Sequence, residues 1–359
     1  MRVMTFVGTR PELIKLSRVI PELDKHTEHA WVHTGQNDDP DLRDVHLKQL
    51  QLREPDIQLS IRAPSPAEAV ANVIRESDKI LRKYKPDAVL ILGDTNSAMA
   101  AYSVKRLHIP IFHMEAGNRC FDDRTPEEIN RRIVDHISDI NLPYTEHARR
   151  NLLAEGLHPS RIIKTGSPMR EVLAHYDCKV TPIPGKTFKP YYLVSLHREE
   201  NVDANPGNVV TLLNDLALSE PETQVVVSLH PRTAYYIGGA ALHKNVSLVK
   251  PYGFIDYCTM QQNAKCVISD SGTLAEESAV LRFPAVAIRK SHERPEVDDS
   301  GCMVRSDMAS YRLRAAIRLA MEQRTWVLPS DYQDLNVSSK VVRTIVGYTD
   351  YVKANVWKQ

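Results

Sequence analysis

Short apolar segments alternate with longer segments of helical spacing along most of the chain, and this pattern constrains the fold more than any other feature. Apolar runs at residues 3–7, 30–33 and 87–92 are each followed by a polar loop and then by a helical pattern. Such alternation indicates strands that pair in parallel, with helices on both faces. We therefore predict an α/β fold with doubly wound sheets. The predicted strands lie at 3–7, 30–33, 87–92, 109–114, 140–143, 161–164, 191–196, 224–228, 246–249, 266–268 and 285–288.

One segment, residues 181–190, interrupts this alternation, because its three prolines and one glycine cannot continue a helix or a strand. A chain of 359 residues with 42% hydrophobic content is long enough to build a core on each side of it. Two Rossmann-like domains facing a central cleft would bind a ligand between them. We predict a first domain at 1–170, a linker region at 171–190, a second domain at 191–337 and a terminal helix at 338–359 that packs back on the first domain.

The composition argues against several classes of protein. Lysine and arginine number 46 and aspartate and glutamate 45, so no broad field of one sign would attract nucleic acid or an anionic membrane. The five cysteines form no CxxC pair, which argues against a disulfide framework and a structural zinc site. No apolar run approaches the roughly 20 residues that span a bilayer, and the first residues resemble a strand rather than a signal peptide. We expect a cytoplasmic protein without nucleic-acid or membrane partners.

Residues 113–136 carry too much charge for a core element, with six carboxylates, four arginines and two histidines in 24 residues. Glu115 directly follows the strand predicted at 109–114, at the carboxyl end, where open α/β sheets bind ligands. Asp94 follows the strand at 87–92 in the same way, although it would also serve as the N-cap of the next helix. This stretch therefore contains the first candidates for acid and base chemistry.

A helix start is predicted within the same stretch. Thr125 fits an N-cap, Pro126 fits the first turn, and Glu128 stands three residues after Thr125 as a capping-box partner. Glu128 thus has a structural explanation. Glu127 has none, so we select it together with Glu115 as a candidate acid or base.

A phosphate site is predicted after the strand at 266–268, where a turn of small residues precedes a helix. Free amides of Ser271, Gly272 and Thr273 would point out of the positive helix end toward an anion. Glu277, one turn into the helix, could accept two ribose hydroxyls. The alternative for so short a motif is an ordinary capped helix.

Basic residues at strand ends support the phosphate interpretation. His230 follows the strand at 224–228, and Arg289 follows the strand at 285–288. Arg10 and Lys15, at the start of the first helix, could add positive charge from the first domain, arginine as a fork and lysine as a point charge. Solvated loops are the alternative explanation for each of them.

His197 ends the strand predicted at 191–196, beside charged neighbours, and is a candidate for chemistry or for packing. The histidines and carboxylates show no HxxxH spacing, so we predict no metal site. No Gly-x-Gly-x-x-Gly fingerprint is present for an oxidising dinucleotide, and we predict no cofactor.

Eight short motifs, taken together, resemble the non-hydrolysing UDP-N-acetylglucosamine 2-epimerase family over nearly the whole chain. That resemblance implies the two-domain GT-B architecture, with UDP held mainly by the second domain, the sugar in the cleft, and a homodimer as the usual assembly. The motifs are Gly8-Thr-Arg-Pro-Glu, Thr34-Gly-Gln, Gly93-Asp-Thr, Glu115-Ala-Gly, Pro126-Glu-Glu-Ile-Asn-Arg, His197-Arg-Glu, Ser269-Asp-Ser-Gly and Glu293-Arg-Pro-Glu.

Within the family, four segments look most like the branch that forms UDP-N-acetyl-L-fucosamine from UDP-2-acetamido-2,6-dideoxy-L-talose, for capsule or O-antigen synthesis. They begin at Asn118, Ile133, Tyr144 and Ser195. The alternative substrate is UDP-N-acetylglucosamine, which would give UDP-N-acetylmannosamine.

The resemblance also implies residue roles in an elimination of UDP to a 2-acetamidoglycal followed by re-addition. Asp94, Glu115 and Glu127 would be the acid and base carboxylates, and His197 would act near the diphosphate. The nucleotide would be held by Arg10, Lys15, His230, Ser271, Gly272, Thr273 and Glu277.

Two positions depart from the common bacterial members of the family. After Thr34-Gly-Gln the chain continues with Asn37 instead of histidine, which puts allosteric activation by substrate in doubt. Thr273 replaces the second glycine of the phosphate turn, and its amide remains available.

Three other functions compete with an epimerase. A GT-B glycosyltransferase would share the fold but need an acceptor, and the carboxylates of residues 115–128 favour the epimerase. A hydrolysing epimerase disagrees with the Gly8-Thr-Arg-Pro-Glu motif, and a non-catalytic binding protein disagrees with the presence of all three carboxylates.

Overall fold

The computed structural model describes residues 1–36, 40–176, 189–203, 206–323 and 325–358. The chain forms two compact units, one of Met1–His175 with Asp331–Gln359 and the other of Tyr176–Ser330. Residues 331–337, which we assigned to the second domain, therefore belong with the first unit. Most of the predicted linker, and residues 37–39 of the loop that departs from the family pattern, lie outside the described residues.

Twelve strands are described, six in each unit. They are β1 Arg2–Val7, β2 Glu28–His33, β3 Ile57–Gln58, β4 Ala88–Leu92, β5 Ile111–Met114, β6 Ile140–Leu142, β7 Tyr191–Ser195, β8 Gln224–Ser228, β9 Val246–Val249, β10 Cys266–Ser269, β11 Ala285–Ile288 and β12 Val304–Ser306.

Sixteen α-helices lie between and after these strands in the described part of the chain. They are α1 Arg10–Leu16, α2 Val19–His26, α3 Pro40–Gln49, α4 Pro66–Tyr84, α5 Ala100–Arg106, α6 Pro126–Ile137, α7 Glu146–Ala154, α8 Met169–His175, α9 Glu199–Val202, α10 Pro206–Ser219, α11 Pro231–Ile237, α12 Phe254–Asn263, α13 Leu274–Leu281, α14 Pro295–Ser300, α15 Ser310–Glu322 and α16 Val337–Val352. Short 3-10 turns at Asn96–Met99, Pro159–Arg161 and Ser330–Tyr332, and a π-helical turn at Lys353–Trp357, complete the described helices.

Both sheets are parallel and share one strand order. The first unit has the order β3-β2-β1-β4-β5-β6, and the second has β9-β8-β7-β10-β11-β12. In each, the direction of winding reverses between the first and fourth strands of the unit, so the loops after β1 and β4 and the loops after β7 and β10 flank a topological switch point. Ligands of open α/β sheets bind at this point, outside the carboxyl ends of the strands.

The sequence explains these elements through burial and capping. All five residues of β4 are buried, as expected for a parallel strand covered on both faces. On α4, Val73, Ser77 and Leu81 recur every four residues and face the core. That helix begins where the Ser65 side chain accepts the Glu68 amide, and it ends at Lys85 in a left-handed conformation.

The predicted class, an α/β fold with two Rossmann-like domains, is confirmed, but some elements were wrong or missed. Residues 161–164 do not form a strand: a 3-10 turn ends at Arg161, and Ile162 makes one isolated bridge to Asn141. The strands β3 and β12, with two and three residues, were too short to produce a readable pattern. The terminal helix α16 packs against α2.

In the part of the chain that the structure describes, no helix has both the length and the apolar character needed to cross a bilayer. Four of the cysteines, at positions 120, 258, 266 and 302, are free thiols.

Candidate active site

Glu115 stands at the carboxyl end of β5 in a left-handed backbone conformation, with φ of 65°. The Lys15 ammonium donates to both of its carboxylate oxygens, at 2.7 and 2.6 Å, and Asn118 Nδ2 approaches Oε1 at 3.4 Å. The side chains of Lys15 and Glu115 are only 6% and 10% exposed. Lys15, predicted to contact UDP, therefore contacts the candidate acid or base in this structure.

Asp94 lies in the loop after β4 and is held by α6. Arg131 donates to Asp94 Oδ2 through Nε at 2.9 Å and through a terminal nitrogen at 2.6 Å. Asn130 Nδ2 donates to the Asp94 carbonyl oxygen at 2.9 Å. The helix that carries Glu127 thus fixes both the side chain and the backbone of Asp94.

The three candidate carboxylates come from neighbouring elements of the first unit. Glu127 lies four residues before Arg131, so both side chains lie on one face of α6. A methyl group placed on Gly93 would lie 3.8 Å from Glu115 Oε2, so the loop preceding Asp94 approaches the Glu115 side chain. Among the described residues, Glu127 has no side-chain hydrogen bond and remains partly exposed. The structure thus brings Asp94, Glu115 and the start of α6 to the edge of the sheet beside the switch point.

The predicted capping box at Glu128 is wrong. Thr125 is the N-cap and Pro126 begins the helix, but no side-chain bond joins Thr125 to Glu128. Glu128 instead accepts the amides of Cys120 at 3.0 Å and Phe121 at 3.3 Å. Burial raises the pKa of Glu128, but these bonds and the nearby arginine charges outweigh it, so its pKa is lowered. Glu128 organises the loop between Glu115 and α6.

Glu12 is a buried residue of this site that the sequence analysis did not select. Its carboxylate accepts the amides of Gly8 at 2.6 Å and Thr9 at 3.3 Å, and the Thr95 hydroxyl at 2.7 Å. It therefore joins the loop after β1 to the loop after β4, across the switch point. Its place in the Gly8-Thr-Arg-Pro-Glu motif was the signal that could have identified it.

Glu12 should make the stability of the protein depend on pH. Burial raises its pKa from 4.5 to about 7. A raised pKa means that the folded state binds the proton more tightly, so the contribution of Glu12 is full below pH 4.5 and is lost as pH rises through 7. Replacing Glu12 with Gln removes this titration.

We expect the free energy of unfolding of Glu12→Gln to increase, relative to that of wild type, by about 3 kcal/mol between pH 4.5 and 8, because only the wild type loses stability over this range. Urea denaturation at several pH values would measure it, with the exposed Glu68→Gln as control. Parallel curves for Glu12→Gln and wild type would contradict this expectation.

In the second unit, His197 and Asp270 meet across the other switch point. His197 follows β7, and its Nδ1 lies 3.0 Å from Asp270 Oδ1. The buried Asp270 carboxylate also accepts the amides of His197, at 3.0 and 3.1 Å, and Arg198, at 2.9 Å, and the Asn201 side chain at 3.1 Å. Burial raises the pKa of Asp270, but the His197 charge and these bonds outweigh it and lower the pKa to about 2. The Asp270 carboxylate is therefore charged, and it orients the His197 ring.

His230 is adjacent to His197, with ring centroids 5.4 Å apart. His230 Nδ1 accepts the amide of Arg232 at 3.2 Å at the start of α11. Because Nδ1 accepts, the neutral ring carries its proton on Nε2. His230 can therefore present a donor to an anionic oxygen.

The turn before α13 differs in part from the expectation. The Ser271 amide donates to Ser269 Oγ at 3.1 Å, so the prediction that this amide is free is wrong. Within the described ranges, the amides of Gly272 and Thr273 have no acceptor in the protein. Their position at the start of α13 suits an anion.

Gly272 is closely surrounded. A methyl group placed there would lie 3.1 Å from Glu293 Oε1 and 3.9 Å from an Arg289 terminal nitrogen. Arg289 in turn donates to Glu293 Oε2 at 2.8 Å. The Arg289 guanidinium therefore lies beside the turn that contains Gly272.

The remaining candidates differ in accessibility. Glu277 is 4% exposed, and its Oε2 accepts Gln261 Nε2 at 2.6 Å. Arg10 is exposed at the first residue of α1. In the described part of the chain, no group of three or more histidines, cysteines or carboxylates has an arrangement that could hold a metal ion.

Comparison with known proteins gives a consistent result over nearly the full chain. Residues 21–346 match the family described as UDP-N-acetylglucosamine 2-epimerase. The structure of UDP-N-acetylglucosamine 2-epimerase from Rickettsia bellii is 42% identical, with a TM-score of 0.92 and 100% of each chain covered. These similarities confirm the predicted GT-B fold class.

Two further relatives differ in the sugar they name. UDP-GlcNAc 2-epimerase from Methanocaldococcus jannaschii, in complex with UDP-GlcNAc and UDP, is 29% identical, with a TM-score of 0.89 and 97% of this chain and 100% of that chain covered. UDP-2,3-diacetamido-2,3-dideoxy-D-glucuronate 2-epimerase from Pseudomonas aeruginosa is 34% identical over 313 residues, covering 85% of this chain and 88% of the relative.

Proposed function

The chain belongs to the UDP-N-acetylglucosamine 2-epimerase family, and from this premise we propose that it inverts C2 of a UDP-2-acetamido sugar by eliminating and re-adding UDP. The enzyme is an isomerase of the non-hydrolysing type. The observation that supports the proposed chemistry best is the grouping of Asp94, Glu115 and the first turn of α6 at the carboxyl ends of β4 and β5. Several carboxylates at one sheet edge suit a reaction that removes and returns a proton.

The chemistry requires a leaving group because the C2 hydrogen of the substrate is not adjacent to a carbonyl. In the proposed first step a base removes the C2 proton, its electron pair forms the C1–C2 double bond, and UDP leaves with the C1–O electron pair. In the second step an acid delivers a proton to the opposite face of C2, and a UDP oxygen attacks C1. Two faces need two proton-handling groups, which Asp94, Glu115 and Glu127 can supply.

The environments of these carboxylates suit different roles. Glu115 is nearly buried and bound by Lys15, whereas Asp94 is bound by Arg131 with 22% of its side chain exposed. Lys15 and Arg131 hold these two carboxylates in place. Glu127, at the start of α6, is partly exposed to solvent.

We propose that the second unit holds most of the nucleotide. The amides of Gly272 and Thr273 and the Nε2 donor of His230 would bind the diphosphate, with Ser271 contributing its hydroxyl. Buried Glu277 would bind the ribose, and His197, oriented by Asp270, would stabilise the charge that develops on the leaving diphosphate. Arg10 and Lys15 would supply positive charge from the first unit.

The preferred sugar is UDP-2-acetamido-2,6-dideoxy-L-talose, giving UDP-N-acetyl-L-fucosamine for capsule or O-antigen synthesis in the cytoplasm. The support is the resemblance of the segments at Asn118, Ile133, Tyr144 and Ser195 to that branch. UDP-N-acetylglucosamine is supported about equally, because the similar structures carry that name. A homodimer is proposed as well, from the family resemblance.

One experiment tests the reaction and the sugar together. The protein is incubated in D2O with each of the two UDP-sugars, and C2 deuteration and product are followed by NMR. We expect deuterium at C2 of one substrate and its epimer. No exchange with either sugar would exclude the proposed reaction for both, and transfer of the sugar to an acceptor without inversion would favour a glycosyltransferase.

Replacing Gly272 with Ala should weaken UDP binding about tenfold, the effect of one strong hydrogen bond to a charged group. The added methyl would lie 3.1 Å from Glu293 Oε1 and would displace the Glu293 and Arg289 pair. Calorimetric titration with UDP measures the change. Gly207→Ala is the matched control, because a methyl there meets nothing within 4 Å. Unchanged affinity in Gly272→Ala would place the diphosphate elsewhere.

A further inference from the structure

A buried carboxylate on α6, Asp135, contacts the loop that carries Glu115. Its side chain accepts the Gly117 amide, at 3.2 and 3.1 Å from the two oxygens, and a terminal nitrogen of Arg119 at 2.7 Å. The side chain is completely buried. Burial raises the pKa of Asp135, but the contact with His113 and the Arg119 charge outweigh it, so the pKa is lowered and the group is an anion.

His113 connects this carboxylate to the loop that carries Asp94. Its Nε2 lies 2.8 Å from the Gly93 carbonyl oxygen, which can only accept, so Nε2 donates. Its Nδ1 lies 2.9 Å from Asp135 Oδ1, although the two atoms are not aligned as an ideal hydrogen bond. The ring, also completely buried, therefore bridges Asp135 and Gly93, the residue before Asp94.

The loop after β5 needs such support because its backbone is strained. Glu115 is a non-glycine residue with φ of 65°, a conformation that costs roughly 1 kcal/mol or more. Gly117 has φ of 81°, and a methyl group there would lie 2.3 Å from the Ala148 carbonyl oxygen. Asp135 binds the amide of this glycine and so holds the turn in place.

Arg119 extends the network toward Glu115. While one of its terminal nitrogens binds Asp135, the same nitrogen donates to the Asn118 carbonyl oxygen at 2.6 Å. The Asn118 side chain in turn approaches Glu115 Oε1 at 3.4 Å. Glu155 holds the other side of the guanidinium, at 2.7 and 2.6 Å.

One face of α6 unites these contacts. Glu127, Arg131 and Asp135 follow each other at intervals of four residues, which places them along one side of the helix. The first is a proposed acid or base, the second binds the Asp94 side chain, and the third binds the Glu115 loop. The position of a single helix therefore sets the geometry of all three carboxylates.

We propose that Asp135, together with His113, is a positioning residue that holds the loops of Asp94 and Glu115 at the spacing required for proton transfer. This inference rests on the proposed epimerase function. Neither residue touches the reacting atoms in this account. Their effect is transmitted through the backbone at Gly93 and Gly117.

The test compares Asp135→Asn with Asp139→Asn. Asp139 is an equally buried carboxylate that also accepts a backbone amide, that of Ile111 at 3.0 Å, and a basic side chain, Lys105 at 2.5 Å. It lies at the amino end of β5, away from the site, so it matches Asp135 in burial and bonding but not in position. Both variants should lower the melting temperature.

We expect Asp135→Asn to lower kcat about 10- to 100-fold, the usual effect of misplacing catalytic groups by a fraction of an ångström to an ångström. KM and the affinity for UDP should change less than about threefold, because the proposed nucleotide contacts lie mainly in the second unit. Asp139→Asn should keep kcat within about twofold, per folded molecule. A merely structural role predicts equal kcat for the two variants.

His113→Asn provides the second measurement, and it decides the question if Asp135→Asn does not fold. It should lower kcat in the same range. In the double variant the loss of kcat should be smaller than the product of the two single losses, because His113 and Asp135 contact each other. Normal kcat in folded Asp135→Asn, or additive losses in the double variant, would overturn the inference. Wild-type enzyme that fails to exchange C2 deuterium would instead reject the proposed function.

Discussion

The Glu115→Gln variant is expected to lose kcat for C2 inversion by about 10²- to 10⁴-fold, the range that one general acid or base contributes. Glutamine matches glutamate in size, so the turn after β5 keeps its shape, but the amide cannot take the C2 proton. UDP affinity should stay within about threefold of wild type, because the proposed nucleotide contacts lie mainly in the second unit. Loss of kcat with retained binding is what removal of a transition-state interaction produces.

Lys15 makes this variant more informative. In the wild type its ammonium binds both oxygens of Glu115, at 2.7 and 2.6 Å, and is almost completely buried. Glu115→Gln leaves that cation without its anionic partner, so stability should fall, because an uncompensated buried charge is costly. Melting temperature is therefore recorded beside kcat, C2 deuteration and calorimetric UDP binding.

The exposed Glu68→Gln is a suitable control for Glu115→Gln, since it changes the same groups at the start of α4 without touching the site. It should leave all four quantities unchanged. Near-normal C2 exchange in Glu115→Gln would remove Glu115 from the mechanism. Asp94 and Glu127 would then remain as the two proton-handling groups.

Local patterns were enough to predict which loops carry the candidate residues of the first unit. Glu115 and Asp94 directly follow apolar strands, and in a parallel sheet such positions meet at one edge. The partners of these residues could not be predicted in the same way. Lys15 lies 100 positions from Glu115, and Arg131 lies 37 positions from Asp94. No local period relates residues so far apart, so only the folded chain reveals the pairs.

Short local motifs caused the clearest errors. Glu128 fits a capping box by spacing, but the loop from Cys120 to Phe121 offers it two amides and the capping arrangement does not form. Ser271 fits a free amide at a helix start, but Ser269 in the preceding strand accepts that amide. In both cases another hydrogen bond in the folded chain outcompetes a local motif whose net energy is about 1 kcal/mol.

Asp270 was present in the Ser269-Asp-Ser-Gly motif but received no role from the sequence, because its partner His197 lies 73 positions away. The structure makes it the centre of the second unit's switch point. It accepts the amides of His197 and Arg198 and the side chain of Asn201, and it is completely buried. We therefore expect its replacement to have the largest effect on stability in this unit.

Asp270→Asn should lower the free energy of unfolding by about 3 kcal/mol at pH 7, since an amide nitrogen would face donors that now bind a carboxylate oxygen. Urea denaturation measures this, with the exposed Asp299→Asn as a control that should stay within about 0.5 kcal/mol of wild type. UDP affinity should fall as well, because His197 loses the group that orients it. A stable Asp270→Asn protein would show that the carboxylate charge contributes little.

The pH dependence separates the charge of Asp270 from its hydrogen bonds. Its pKa is lowered from 3.8 to about 2, so the charge stabilises the fold fully above pH 3.8 and loses its effect as pH falls toward 2. That shift corresponds to about 2 kcal/mol. The difference between wild type and Asp270→Asn should therefore stay constant from pH 8 to 5 and narrow only below about pH 4. A difference that narrows already near pH 6 would show that the Asp270 carboxylate is not the titrating group.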